Sequence, residues 1–425
     1  MFTKTEIFND IVQIMRTDYS GAFEKKNVNK PENYRITDGM TDRAFIETVQ
    51  SYLLDFADGH LSFDAKDAVI PNRGFRVRRF EDALYVTEAT EETRLRRGDV
   101  IVEVDGMTIE AAGQLWAKIL EDTVHERQFW NVALRSATEL VVQREEESFR
   151  LPLATYEHAS YEPSYTAEKL NDETLYMKLT DFAQEKPILD LLEQQKDALD
   201  HVDNLIVDVR VNNGGNDMFY FPLLDYIFDQ PTSFKSLFKE DEVMYTNYTE
   251  RNCRLWINEL NEYLEQELDE ETKKWAHGEM ALFEKSAGKG MVAVTEEEDY
   301  PIHGRLTPQN VYVLTDVACG SSGDTFVNNV KKSPKVTVVG RATMGIVDFC
   351  NVVTQDYGAY EFVYSVSKMH EKYYTNATGV TPHVHIPWTP EHLERDVDLE
   401  YVLNLTKEHK EERGNAHVAR ASTPH

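Results

Sequence analysis

Val311-Tyr312-Val313-Leu314-Thr315-Asp316-Val317-Ala318-Cys319-Gly320-Ser321-Ser322-Gly323-Asp324 runs on into Thr325-Phe326-Val327-Asn328-Asn329-Val330. Its opening residues are apolar or β-branched without polar alternation, the pattern of a strand buried on both faces. Small residues then form a turn, and the closing segment reads as helix. Strand, turn and helix in that order are the repeating unit of a parallel α/β sheet. Asn204-Leu205-Ile206-Val207-Asp208-Val209 and Val336-Thr337-Val338-Val339 have the same strand character. Leu175–Leu179 reads as a further strand, and Ile188–Leu199 as a helix between strands. An α/β body over 160–406 is the expectation.

Outward from that body the texture changes. Residues 1–68 read as a helical segment, with Ile7, Ile11 and Ile14 and then Phe45, Val49, Tyr52, Leu53 and Phe56 at helical spacing. The second of these helices is expected to close at Gly59, in left-handed conformation, leaving His60 on a loop. Residues 71–155 read as a mostly-β module. Its short strand-like runs are Phe75–Val77, Ala83–Val86, Asp99–Val104 and Thr138–Val142, with turns at Gly98 and Asp105-Gly106 and one helix near 108–120. A charged segment, about 232–300, reads as a helical insertion, most clearly from Asn258 to Trp275. The tail 407–425 is polar and expected to be disordered.

Composition narrows the function classes. With 75 acidic against 45 basic side chains the formal charge is −30, a field that repels nucleic acid and anionic membrane. No apolar run approaches the roughly 20 residues that span a bilayer, and the N-terminus lacks a signal peptide's apolar centre. Cys253, Cys319 and Cys350 are few, odd in number and widely spaced, which favours a reducing cytoplasm over a disulfide framework. No cofactor motif is present. His383 and His385 share a strand face, but two histidines without a third ligand make no metal site.

Reactive groups of open α/β sheets collect in the loops beyond the carboxyl ends of strands. One such loop is Arg210-Val211-Asn212-Asn213-Gly214-Gly215-Asn216, whose paired glycines turn sharply and present amide N–H groups. The other carries Ser321. A serine at a strand-to-helix turn exposes its hydroxyl, and the helix N-terminus supplies N–H groups for a developing oxyanion. The competing reading is a capped helix, since serine is favoured there anyway, and the local pattern alone puts the cap ahead. Cys319 reads as a small buried thiol.

Several motifs in order tilt that balance. Leu205–Gly215 resembles the strand and Asp-Leu-Arg-x-Asn-x-Gly-Gly loop of the C-terminal processing (tail-specific) serine peptidases, and Val311–Phe326 resembles their nucleophile segment. Gly340–Gly345 and Gly379-Val380-Thr381-Pro382 are similar to their later elements. Gly74-Phe75, Leu95-x-x-Gly98-Asp99 and Asp105-Gly106 are similar to the carboxylate loop and a later strand of a PDZ domain. The likeness spans about 70–405. It implies an α/β catalytic domain of ClpP/crotonase-like fold, an N-terminal helical segment and a PDZ-like module that binds polypeptide through Gly74 and Phe75. Ser321 falls on the nucleophile and Asp324 on the acidic residue that follows it.

The best-known members carry a lysine base directly after the Thr-x-Gly element. Here that place is Ile346, and no lysine lies between Lys335 and Lys368. The chain therefore looks like the tricorn-like branch, whose base is a histidine before the PDZ-like module; His60 occupies that place. A neutral imidazole accepts a proton near pH 7 without tuning. The branch's orienting acid falls on Asn376, with Glu371 as a nearby substitute. The resemblance implies an oxyanion hole from Ser322 with Gly214 or Gly215. The implied activity is a serine endopeptidase cleaving polypeptides near their C-termini; a catalytically inactive peptide- or ligand-binding protein on the same scaffold is the alternative.

Overall fold

The computed structural model describes residues 2–67, 71–157, 161–266, 268, 270–294 and 299–421. The expected boundaries at 68 and 160 and the last four residues of the tail lie outside them. The chain divides into two compact units. One comprises Met1–Val69, Phe238–Asp299 and Gly345–Ala377; the other comprises Ile70–Leu237, Tyr300–Met344 and Thr378–His425.

In the second unit, strands Thr174–Leu179, Asn204–Asp208, Asn310–Thr315, Val336–Gly340 and Val384–His385 lie side by side and parallel. Tyr165–Asn171 closes the far edge antiparallel to Thr174–Leu179. The apolar runs follow from coverage of both faces. Leu205, Val207, Val311 and Val313 pack with Ile188, Leu224, Phe326 and Val327. Ile206, Tyr312, Leu314 and Val339 face the other way, against Val402, Leu399 and Leu403 of the final helix. The expected helix 188–199 is two helices, Glu185–Gln194 and Lys196–His201.

The same unit contains the mostly-β module, a sheet in the order Phe75–Phe80, Ala83–Ala89, Val100–Val104, Glu139–Arg144, Glu147–Pro152. Leu84, Ile101 and Leu140 pack around the fully buried Trp130. The helix expected at 108–120 is broken into Ile109–Leu115 and Ala117–Leu120.

The first unit departs further from expectation. Helices Lys4–Thr17 and Asp42–Leu53 form as the periodicity requires, the first behind a Thr3/Glu6 capping box. They pack on an antiparallel sheet built around the long strand Tyr360–Met369. Phe349–Asp356 pairs along one side of that strand, and Ser62–Ala65 and Met244–Tyr248 along the other. The segment 232–300 is therefore no simple helical insertion in the α/β body. Its part from Phe238 belongs to the first unit, where Met244–Tyr248 and Gly290–Ala293 add strands to this sheet. Helices Glu250–Leu264 and Glu270–Ser286 stand between those strands. The tail is corrected as well: the final helix runs Val397–Ala421. Val402 is buried against the sheet, and good helix formers such as Glu408, Lys410, Glu411 and Arg413 follow it.

Charged residues tie the carboxyl ends of three parallel strands together. Asp316, just past Thr315, accepts two hydrogen bonds from Arg78 (2.6 and 2.7 Å) and one from Arg341 (2.9 Å). Arg341, just past Gly340, is bidentate on Asp398 of the final helix, both bonds 2.7 Å. Arg210 bonds Asp208 at the end of its own strand (2.7 Å) and Asp396 (2.8 Å). Burial pushes the Asp398 carboxyl up, but His392 and Arg341 outweigh it and hold it at about 2. That lies below an unfolded value of about 3.9. Its stabilisation is therefore present above pH ~4 and lost as pH falls through ~2. Asp398→Asn is expected to cost about 3–5 kcal/mol at neutral pH. In urea unfolding the gap to wild type should narrow across that acid window.

Candidate active site

Within the second unit the three loops leaving those strand ends bond to one another. Asn212 is fully buried; its amide donates to Leu179 O (3.0 Å) and its backbone carbonyl accepts from Gly320 N–H (3.0 Å). Phe182 N–H donates to Gly214 O (2.7 Å), and Asn216 N–H to Phe182 O (2.9 Å). Met344 N–H donates to Cys319 O (2.7 Å). Arg127 binds the third loop from the mostly-β module, donating to the carbonyls of Ala342 (3.2 Å), Thr343 (2.9 Å) and Met344 (3.0 Å). The Gly379-Val380 element joins there too: Val380 N–H donates to Thr343 Oγ1 (2.7 Å).

Ser321 immediately precedes helix Ser322–Val330, with φ 56° and ψ −123° and no capping hydrogen bond from its side chain. An N-cap has extended backbone and spends its oxygen on the helix; Ser321 does neither. A non-glycine residue held in this region costs on the order of 1–3 kcal/mol, and such strain gathers at functional sites. Gly214 makes room for it: a Cβ there, at φ +81°, falls 2.6 Å from Ser321 Cβ. Cys319 is fully buried and burial pushes its thiol well up, so it is no nucleophile.

The expected donor set is corrected in one member. Gly214 N–H is engaged within its own turn by Asn212 Oδ1 at 2.9 Å, so Gly214 contributes space rather than a hydrogen bond. The N–H groups of Ser322 and Gly215 have no partner among the described residues. Ser322 Oγ donates to Gly215 O (2.7 Å), which fixes these two residues together.

His60 lies in the first unit. The left-handed residue there is Ala57 (φ 46°), closing the 3₁₀ turn Leu54–Phe56, and not Gly59 as the sequence suggested. Gly59 lacks a side chain for another reason: a Cβ on it would meet Ile346 Cγ2 at 2.8 Å. The residue at the lysine position thus packs on the histidine turn. His60 N–H donates to Asp58 Oδ1 (3.0 Å), and its ring Nδ1 stands 3.5 Å from the same oxygen.

Asn376, the expected orienting residue, is exposed with φ 51°. Its N–H donates to Asp348 Oδ2 (2.7 Å) and its amide to Tyr374 O (3.4 Å), with no bond to His60. Glu371 is exposed in the 3₁₀ turn Glu371–Tyr373 and likewise makes none. Both positions rested on register, and Asp348 captures the loop. Gly74 N–H donates to Asn72 Oδ1 (2.9 Å), and the Phe75 side chain is buried in the module's core. His383 Nδ1 accepts from Val338 N–H (2.9 Å), and His385 Nε2 pairs with Glu126 (3.0 Å).

Asp58, Asn212 and Arg127 were missed as site residues. For Asp58 the signal was the Asp-x-His spacing of an Asx turn. For Arg127 there was none, because its partners in the third loop are backbone carbonyls.

A strained serine, paired glycines and unengaged amide N–H groups are the parts that a serine hydrolase requires. The family model for peptidase family S41 matches residues 173–386, half of the chain. The chain belongs to that family: it is a serine peptidase, and its substrates are polypeptides. Among solved structures it is similar to mature CPAF complexed with lactacystin, at 13% identity and TM-score 0.67, covering 97% of this chain and 99% of that one. A second structure of mature CPAF matches at 12% identity and TM-score 0.64, over 95% and 96% of the two chains. At such identities the likeness is one of fold. The photosystem II D1 C-terminal processing protease matches at 13% identity and TM-score 0.45, over 92% and 94%. No curated protein matches.

Gly214→Ala places a methyl against Ser321 on a backbone that disfavours it. The expected loss in kcat/KM is about 10²-fold, as for an ångström of misplacement. Urea unfolding should show a stability cost of only about 1–2 kcal/mol.

Proposed function

We propose that the chain is an active endopeptidase in which Ser321 is the nucleophile and His60 its general base. The observation that carries the reading is the backbone of Ser321: a strained, uncapped serine at a strand-to-helix turn has no structural use for its hydroxyl. Ser321 Oγ bonds to the scissile carbonyl carbon while His60 Nε2 takes its proton. Collapse of the tetrahedral intermediate breaks the C–N bond, and Nε2 returns the proton to the leaving amine. Water then attacks the acyl ester with Nε2 again as base, and Ser321 Oγ leaves with the proton. The N–H groups of Ser322 and Gly215 hold the oxyanion, each worth on the order of 10²-fold or more. The histidine base and the hydrophobic Ile346 at the lysine position support assignment to the tricorn-like branch.

The mostly-β module is the proposed PDZ-like peptide receiver, acting by strand addition to the outer edge of Phe75–Phe80. Asn131 engages that edge, accepting from Val77 N–H (2.8 Å) and donating to Val77 O (3.3 Å). Entry of a peptide strand requires Asn131 to let go. Preference for C-terminal ends is tested with paired peptides bearing a free carboxylate or an amide; equal kcat/KM for the two refutes it.

Labelling by a fluorophosphonate probe tests the catalytic reading. Wild type is expected to label, and Ser321→Ala and His60→Ala to lose labelling and peptide cleavage. A folded wild type that neither labels nor cleaves would establish the scaffold as a binding protein.

A further inference from the structure

A histidine base needs a group on its second ring nitrogen to fix the tautomer and to stabilise the imidazolium formed when it takes the serine proton. In the first unit, His60 Nδ1 is buried and has no hydrogen-bond partner among the described residues. The residue that the family likeness places there, Asn376, is exposed and bonded elsewhere. Asp58 faces the ring instead. Its side chain is 2% exposed, and Oδ1 lies 3.5 Å from Nδ1. Both carboxylate oxygens are pinned, Oδ1 by His60 N–H (3.0 Å) and Oδ2 by Ser365 Oγ (3.0 Å).

We propose that Asp58, two residues before the base on the same turn, is the positioning carboxylate of this enzyme and does the work that the likeness assigns to position 376. The inference rests on His60 being the base. Asp58 holds the Nδ1–H tautomer, which leaves Nε2 as the proton acceptor, and its charge stabilises the imidazolium. The remaining few tenths of an ångström between 3.5 Å and a hydrogen bond are of the size by which catalytic contacts tighten when substrate binds. Asp58 forms no ion pair with a cation among the described residues, so its charge is directed to the ring.

The other groups around it do not replace it. Tyr19, fully buried, lies beside Asp58, Glu24 and Tyr374, and its hydroxyl finds no partner of hydrogen-bond geometry. Burial pushes the Tyr19 phenol well up and Asp58 adds to it, so the ring stays neutral. Lys368, the nearby cation, is paired with Glu24. Of these groups, Asp58 is the one whose oxygen lies against the imidazole.

Asp58→Asn keeps the shape and removes the charge. Expected are a fall in kcat of about 10²–10⁴-fold and little change in KM. Asn376→Ala should leave both parameters within error. Unchanged kcat in Asp58→Asn, with Ser321→Ala and His60→Ala inactive, would overturn this inference alone. Activity surviving in His60→Ala overturns the base assignment beneath it. If Asp58→Asn does not fold, nitrogen NMR of the wild-type His60 ring decides: the Nδ1–H tautomer supports the proposal and the Nε2–H tautomer sinks it.

Discussion

The catalytic half of the molecule depends on a lattice of buried arginines and aspartates at the carboxyl edge of its parallel sheet. Arg341, Asp316 and Asp398 are each under a tenth exposed. Taking such charges from water costs several kcal/mol per ion, and only close, multiply bonded geometry repays it. That geometry is present: Arg341 reaches two carboxylates and Arg210 three, and the carboxylates sit at strand ends or at the start of the final helix. A lattice of this kind is poor evidence for net stability. What it supplies is definition, because a shift of any strand end strands a charge. The loops bearing Gly214, Ser321 and Met344 start from those fixed points.

Fixed origins are what let Ser321 remain in a sparsely populated conformation. A loop free to relax would release an unfavourable φ. This one is held at Asp316 by Arg78 and Arg341, at Gly320 by Asn212, and at Cys319 by Met344 N–H. Arg127 in turn clamps the Met344 loop from the mostly-β module. That module therefore braces the Ser321 loop through two arginines. Gly214 completes the arrangement by omission, since its missing side chain is the space Ser321 Cβ needs.

What the sequence revealed divides along physical lines. The parallel sheet was legible because strands covered on both faces must be apolar throughout, and runs such as Leu205–Val207 admit few other readings. The sheet of the first unit was not. Tyr360–Met369 carries a near-regular alternation, with Tyr360, Phe362, Tyr364 and Val366 in the core between Glu361, Val363, Ser365 and Ser367, but that pattern marks one strand and not its partners. Its pairing with segments as far away as Ser62–Ala65 has no local signature at all. Ser321 stood out only through the order of several motifs, since its own neighbourhood favours a cap; its φ, a tertiary consequence, argues against one. Gly214 and Gly215 were singled out as a pair. Which N–H stays free was decided by the Asn212 side chain, a contact within the turn that spacing does not encode.

The replacement of lysine by isoleucine makes sense beside the histidine turn. A lysine base must be neutral to work, which requires desolvation strong enough to overcome a protein of formal charge −30. A histidine needs no such tuning, and the vacated position then serves packing: Ile346 lies against Gly59, where any larger residue would be displaced by its Cγ2. An acid on the same turn has a further consequence. An orienting carboxylate supplied by a distant loop is only as well placed as that loop, and residues 375–376 are held by Asp348 in a different arrangement. A carboxylate two residues from the imidazole moves with it, so acid and base stay in register through whatever motion substrate binding demands.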